Sequence, residues 1–338
     1  MTVRVGINGF GRIGRDILRR VLERPDSPVE VVAVNDVTTP DALAHLLAHD
    51  STYGPLRLPV RVIGDAIEAG DQVVRVTSET EPAKLPWHEF GVSVVIESTG
   101  RFRTREAAAG HLAAGARKVI VSAPGKGLDA TLVLGVNDGD YDPARHDVVS
   151  NASCTTNCAA PMVKVLHEAF GIRRGLLTTI HSYTGDQALL DRPHRDPRRA
   201  RSAAVNLIPT STGAARAIGE VIPALAGRLD GVAIRVPVED GSLADLTVEL
   251  ERDVAADEVN RAFAQAADRQ LKEILRYTEA PLVSRDIIGD PASCVFDSGL
   301  TKADGHLVKV FGWYDNEWGY AARTVELAEA IGRTLDQG

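Results

Sequence analysis

Three cysteines among 338 residues, an odd number in a long chain, offer no disulfide framework. Cys154-x-x-x-Cys158 with a distant Cys294 also lacks the paired spacing of a zinc site, so no metal is expected. No apolar run approaches the roughly 20 residues a membrane span needs. No targeting segment is apparent, because Met1-Thr2-Val3-Arg4-Val5 runs straight into a strand. These absences together give the expectation of a reducing, cytoplasmic location with no membrane partner. Positive charge is also short: 38 Lys and Arg against 46 Asp and Glu leave a formal charge of −8, which argues against general nucleic-acid binding. One local basic cluster remains, formed by Arg192, Arg195, Arg198, Arg199 and Arg201. Internal repeats, low-complexity tracts and flexible linkers are missing as well.

What is present fits a globular protein. Hydrophobic residues make up 44% and charged residues 25%, and the length suits two domains of about 150 residues each. In the first half, short apolar runs alternate with helix-like stretches: Val3 to Asn8, then a helix from Arg12 to Glu23, then Val29 to Asn35. Further strands are expected at Val92 to Glu97, Lys118 to Val121 and Thr131 to Val136, with an alanine-rich helix from Thr104 to Ala114. Continuous apolar strands joined by helices imply a doubly wound α/β Rossmann domain with a parallel sheet. After Cys154 the strands lengthen and partly alternate, as in Leu243 to Val254 and His306 to Trp313, which implies an α+β domain with a mainly antiparallel sheet. The expected division is a dinucleotide-binding domain over 1–153 and a catalytic domain over 154–316. An amphipathic terminal helix is read over Glu317 to Leu335.

Two segments carry the chemistry. Gly9-Phe10-Gly11-Arg12-Ile13-Gly14 follows a strand and opens a helix, as a pyrophosphate-binding turn requires. Asp36, 22 residues after Gly14 at the end of the second strand, is placed to accept from both ribose hydroxyls of NAD and to repel a 2′-phosphate. The second segment is Asn151-Ala152-Ser153-Cys154-Thr155-Thr156-Asn157, with His181-Ser182-Tyr183-Thr184 further along. A free thiol is only a few per cent ionised near pH 7, so a nucleophilic cysteine needs a helix N-terminus, a cation or an imidazole. The helix-like run from Thr155 to Leu166, with Pro161 a cost inside it, supplies the first, and His181 the last. A hydride acceptor beside an activated thiol implies aldehyde oxidation through a hemithioacetal and a thioester. Ser153, Thr155, Thr184, Arg201, Thr212, Gly213 and Arg235 add hydroxyls, an N–H and guanidinium groups suited to phosphate oxygens.

Along its whole length the sequence resembles the phosphorylating glyceraldehyde-3-phosphate dehydrogenase family. The resemblance is carried by Gly6 to Gly14, Glu97 to Gly100, Ser122-Ala123-Pro124, Asn151 to Asn157 and His181 to Thr184. It continues through Arg198 to Arg201, Pro209 to Ala215, Arg235-Val236-Pro237 and Trp313 to Tyr320. It implies that Cys154 is the nucleophile, with His181 its activator and base, acting on glyceraldehyde 3-phosphate with NAD and with inorganic phosphate as co-substrate. Thr184 and Arg235 then match one phosphate site. Ser153, Thr155, Thr212 and Gly213 match the remaining substrate and phosphate contacts, with Arg201 serving the same region. Gly9, Gly11, Arg12, Ile13, Asp36, Ser122 and Asn316 match the cofactor contacts, with Asn316 near the nicotinamide amide. The resemblance also implies a homotetramer, and a C-terminal helix, 317–338, that returns to complete the cofactor domain.

Departures from the family pattern occur at His49-Asp50-Ser51, at Glu79 or Thr80 near the adenine, at Val37 and at Arg192. Arg192 leads to an expectation of NAD preference with some NADP use. Two competing readings are an erythrose-4-phosphate oxidation that ends in hydrolysis, and a non-catalytic dinucleotide-sensing scaffold.

Overall fold

The computed structural model describes residues 2–335, so the expectations that touch Met1 and residues 336–338 lie outside it. Val3–Asn8 sits within a nine-stranded sheet, parallel to Val29–Asn35 on one side and to Val94–Glu97 on the other. Beyond Val94–Glu97, the strands Lys118–Val121, Val148–Ser150 and Ala130–Thr131 continue the parallel order. Beyond Val29–Asn35, Gln72–Thr77 is also parallel and leads into the antiparallel strands Ala66–Ala69 and Val60–Ile63. The central strands are buried along nearly their whole length, which is why they read as unbroken apolar runs.

Two local expectations fail. The chain is extended only at Ala130–Thr131 and turns after Leu132, because the Asn137 side chain accepts the Val133 N–H at 2.8 Å and Gly135 adopts φ +78°. The helix read over 104–114 splits into Arg105–Ala108 and Gly110–Ala113. Thr104 caps the first piece, and the Leu112 N–H bonds back only to Ala109. The second piece carries a fully buried His111, whose Nδ1 accepts from Trp87 Nε1 at 3.0 Å. Nε2 therefore carries the proton and donates it to the Glu97 carboxylate at 3.0 Å. Glu97 also accepts from the Asn8 amide at 2.6 Å and from the Thr99 N–H at 2.8 Å. Each of these interior polar groups has a partner, so the network fixes the strand ends that carry Asn8 and Thr99.

The second sheet contains Ile172–Ser182, which is parallel to Leu229–Val236 and antiparallel to Ser242–Leu250. Leu307–Tyr314 pairs antiparallel with Ser242–Leu250, with Cys294–Asp297 and with Lys302–Asp304. Ile208–Ser211 and Leu275–Thr278 form the edges. The helix Cys154–Phe170 covers one face. Its close approach depends on Gly312: a Cβ there would stand 2.6 Å from both Cys294 Sγ and Met162 Sδ. Forcing a methyl group into that gap costs about 1–3 kcal/mol. The fold is thus a Rossmann-type parallel sheet and a mainly antiparallel α+β sheet.

The contacts divide the chain into two compact units. One comprises Met1–Leu132, Gly139–Ala152 and Ala321–Gly338, and the other Val133–Asp138 with Ser153–Tyr320. Residues 133–138 join the second unit because Gly135 lies against Leu271 and Ile274. The terminal helix runs over Trp318–Thr334. Among the described residues, no helix is long and apolar enough to cross a membrane, and no group of three or more acidic, His or Cys side chains is placed to hold a metal.

Candidate active site

In the first unit the turn 9–14 separates two uses of glycine. A Cβ on Gly9, which has φ +94°, would meet the Thr99 nitrogen at 2.6 Å, and one on Gly14 would strike the Gly9 carbonyl oxygen. Both are therefore glycine for reasons internal to the chain. Gly11 is different, because nothing lies within 4 Å of where its Cβ would be. Gly11 also begins the helix Arg12–Leu22 with no side-chain cap, so the first-turn N–H groups and the positive end of the dipole face open space. A group that needs backbone approach and carries negative charge fits there, as a pyrophosphate does.

The same turn borders a cleft lined by Gly9, Gly11, Asp36, Glu79, Thr80 and Thr99, among others. Asp36 Oδ2 accepts the Phe10 N–H at 2.9 Å and Oδ1 the Thr38 N–H at 3.1 Å, which orients the carboxylate at the cleft wall. Glu79 lies on that wall too, and the N–H groups of Glu81 and Thr80 hold it below its ordinary pKa. Arg12 is turned to Asp50 at 3.0 Å. Burial works to raise the Asp50 pKa, but the Tyr53 and Thr52 N–H groups and Arg12 outweigh it, and the carboxyl stays low. Asp50, seen in the sequence only as part of the Asp-Ser pair that follows His49, thus positions Arg12. Ile13 is half-buried in the first helical turn, and Ser122 donates its hydroxyl to the Glu97 carbonyl at 3.1 Å. Asn8 and Thr99, visible from sequence only inside motifs, also line the cleft, as do Arg101 and Phe102, which were not picked out.

In the second unit Ser153 caps the helix Cys154–Phe170, accepting the Thr156 N–H at 3.0 Å. Just before it, Ala152 holds φ 54°, which is uncommon for a residue with a Cβ. Cys154 is then the first helical residue and remains partly exposed, with Sγ 3.5 Å from His181 Nε2. His181 Nδ1 lies 2.8 Å from the Ser182 carbonyl, which can only accept. Nδ1 therefore carries the proton, and the bare lone pair of Nε2 faces the sulfur. Burial pushes the thiol up to about 11, against the Arg235 cation, the Thr155 and Cys154 N–H groups and the Thr155 hydroxyl, which favour the thiolate. Burial and then Arg235 push the imidazole down to about 3. Partial exposure of Cys154 softens this desolvation, and in either arrangement the pair holds one proton.

Thr155 Oγ1 is also bonded to Tyr314 Oη at 2.9 Å, and that hydroxyl reaches Thr179 Oγ1 at 2.7 Å beneath the edge of the His181 ring. Tyr314 was visible only as part of a motif, yet it anchors both chemical residues.

Arg235 donates Nη1 to the Ser182 carbonyl at 3.2 Å and to Thr184 Oγ1 at 3.1 Å. Its buried Nε has no partner among the described residues. A half-buried guanidinium with an unspent, buried donor suits an anionic ligand. Thr212 accepts the Ala214 N–H at 3.2 Å, and Gly213 begins the helix Ala214–Val221 without a side-chain cap. One expectation needs correcting. Arg201 is exposed and bonded to Asp191 at 2.8 Å. Arg199, two residues earlier, donates to Thr210 Oγ1 at 3.0 Å, pairs with Asp186, and lowers the pKa of both His181 and Arg235. Arg199 is the arginine that the cluster turns toward the site.

Asn316 is buried, with Oδ1 accepting from Ser182 Oγ at 2.9 Å and Ser242 Oγ at 2.6 Å.

Known proteins match this chain over nearly its whole length. Residues 3–105 match the family described as glyceraldehyde 3-phosphate dehydrogenase, NAD binding domain, and residues 153–316 match its C-terminal domain. The chain is 56% identical over 337 residues to glyceraldehyde-3-phosphate dehydrogenase 2 of Streptomyces arenae, covering 99% of this chain and 100% of that one. Glyceraldehyde-3-phosphate dehydrogenase of Streptomyces coelicolor is also 56% identical over 337 residues, with the same coverage. That of Geobacillus stearothermophilus is 55% identical over 332 residues, 98% of each chain. With both family models matched and 56% identity over 99% of its length, this chain belongs to the glyceraldehyde-3-phosphate dehydrogenase family.

Proposed function

We propose that the protein catalyses the NAD-dependent oxidative phosphorylation of glyceraldehyde 3-phosphate to 1,3-bisphosphoglycerate, in glycolysis or its reverse. The observation that carries the reading is the Cys154–His181 pair at a helix N-terminus, 3.5 Å apart, beside Arg235. Cys154 Sγ bonds to the aldehyde carbon, and its proton passes through His181 Nε2 to the carbonyl oxygen, giving a hemithioacetal. NAD, when bound, supplies the acceptor for the hydride on that carbon. His181 takes the hydroxyl proton as the thioester forms. Phosphate then attacks the thioester carbon, the C–S bond breaks, and the leaving sulfur is reprotonated by His181. Thr184 and Arg235 are read as holding one phosphate, and Arg199, Thr212 and Gly213 the other, with Ser153 and Thr155 shaping the thiol. Gly9, Gly11, Arg12, Ile13, Asp36 and Ser122 are read as cofactor contacts, and Asn316 as the partner of the nicotinamide amide.

Initial rates of NADH formation with and without inorganic phosphate test the reading. Turnover is expected only with phosphate present. Equal rates without it would favour hydrolysis, and no turnover in either case would favour the scaffold.

Asp36 and Glu79 in the cleft support NAD preference. Arg192, proposed to allow some NADP use, is exposed and makes no side-chain hydrogen bond within the described residues. Asp36→Ala should raise kcat/KM for NADP and lower it for NAD, each by about tenfold, since removing one charge repulsion of about 1.4 kcal/mol is worth that factor. Unchanged selectivity would show that Asp36 does not face the ribose. The homotetramer is supported by exposed Leu176, Val232 and Leu307, which share one face of the second sheet. A cytoplasmic location is proposed with it, in keeping with three free cysteines.

A further inference from the structure

The turn between Leu229–Val236 and Ser242–Leu250 touches the segment around Asn316 at two adjacent places. Ser242 Oγ donates to Asn316 Oδ1 at 2.6 Å, and the carboxyl of Asp240 is hydrogen-bonded to that of Asp315. Both acids are buried, Asp240 at 0% and Asp315 at 1% exposure. Asp315 is surrounded by donors: Oδ1 accepts the N–H groups of Glu317 and Trp318 at 2.9 and 2.6 Å, capping the start of Trp318–Thr334, and Oδ2 accepts the Gly289 N–H at 2.8 Å. Three backbone donors mark Asp315 as the ionised member. Two carboxylates cannot share a bond without a proton between them, so Asp240 is the one that donates.

We propose that Asp240 is a positioning residue: as a neutral acid it donates to the Asp315 carboxylate and thereby locks the 314–318 segment so that Asn316 is held for the nicotinamide amide. The inference rests on the assignment of Asn316 given above. Burial, followed by the charges of Asp315 and Glu317, pushes the Asp240 carboxyl up to about 9. The charged groups facing it are both anions, and nearby ions are engaged elsewhere. Arg285 pairs with Glu239, Asp286 accepts the Val283 N–H at 2.8 Å, and Asp290 pairs with Arg276 at 2.5 Å.

The lock is therefore present at neutral pH and opens when Asp240 ionises. In the wild-type enzyme, KM for NAD should rise once pH passes about 9, by up to about tenfold per unit, with kcat changing much less. Asp240→Asn retains a donor to Asp315 at every pH, so its KM for NAD should stay level from pH 7 to 10. Asp240→Ala lacks the donor and should show the raised KM already at pH 7. A stability readout follows the same linkage. A carboxyl whose folded pKa lies above its unfolded value loses stability as pH rises from the unfolded value toward the folded one. The melting temperature of Asp240→Asn should thus gain on wild type steadily from pH 4 to about 9 and then level off. The proposal is overturned if Asp240→Asn keeps the alkaline rise in KM, or if the two melting curves run parallel in pH. Should Asp240→Asn not fold, absence of the alkaline KM rise in the wild type alone overturns it. Asn316→Ala separates the underlying assignment: unchanged KM for NAD in that variant refutes the role of Asn316, while the melting comparison still reports the shared proton.

Discussion

Cys154→Ser is expected to fold and to lose at least about 10⁴-fold in kcat for phosphate-dependent NADH formation, with NAD affinity within about twofold of wild type. The size follows from three features of the site. A serine hydroxyl is far less acidic than a thiol, and the structure around residue 154 already raises the thiol by burial, so a hydroxyl there has no route to an anion. The Thr155 and Cys154 N–H groups and the Arg235 cation act on whatever atom occupies the position, but together they only partly offset desolvation. The thioester is also an energy-conserving intermediate, since phosphate attacks a carbon whose leaving group is a thiolate. An oxygen ester formed by serine would be a poorer acyl donor, so both half-reactions suffer. The measurement is steady-state turnover at saturating substrate, with NAD binding followed by protein fluorescence quenching. Serine activity near the wild-type level would refute covalent catalysis at residue 154. Lost cofactor binding would instead show that the substitution damaged the fold.

Much of this site was legible because chemistry and geometry coincide over short stretches of sequence. Ser153 ahead of a helix, glycines that follow a buried strand, and an acid at the end of the next strand each satisfy a local backbone requirement, and periodicity locates them. The side-chain direction of Arg199 was not legible in this way. Arg199 and Arg201 lie two residues apart in an irregular loop, and what separates them is that Asp186 and Thr210 capture one while Asp191 captures the other. The burial of Asp240 was equally hidden. Glu239-Asp240-Gly241 reads as a polar turn, and only the pairing of Ser242–Leu250 with Leu307–Tyr314 draws its middle residue beside Asp315. Thr131 to Val136 failed for the opposite reason: an apolar run reads as a strand, whereas the Asn137 side chain takes the N–H group that a neighbouring strand would have needed.

His181→Asn is expected to lower kcat by about 10²–10³-fold and to change the pH dependence of thiol alkylation in a way that assigns the proton. In the wild type, the pair retains one proton between about 3, below which the imidazole gains a second, and about 11, above which the thiol is lost. Within that window, moving the proton from Sγ to Nε2 exchanges nothing with solvent. The rate constant for iodoacetamide should therefore be nearly level from pH 6 to pH 9 if the proton rests on Nε2, and should rise with pH if it rests on Sγ, because the thiolate beside a neutral imidazole then grows about tenfold per unit. Asparagine fills similar space but cannot accept the thiol proton. The sulfur then titrates alone, with burial holding it high, and alkylation should rise by about tenfold per pH unit over the same range. The Ser182 carbonyl, which fixes the imidazole tautomer in the wild type, can accept from the new amide, so the local backbone keeps a partner. If wild-type alkylation also rises tenfold per unit, the proton rests on the sulfur and the 3.5 Å contact is a hydrogen bond rather than an ion pair. If the variant is level over that range, a group other than His181 takes the thiol proton.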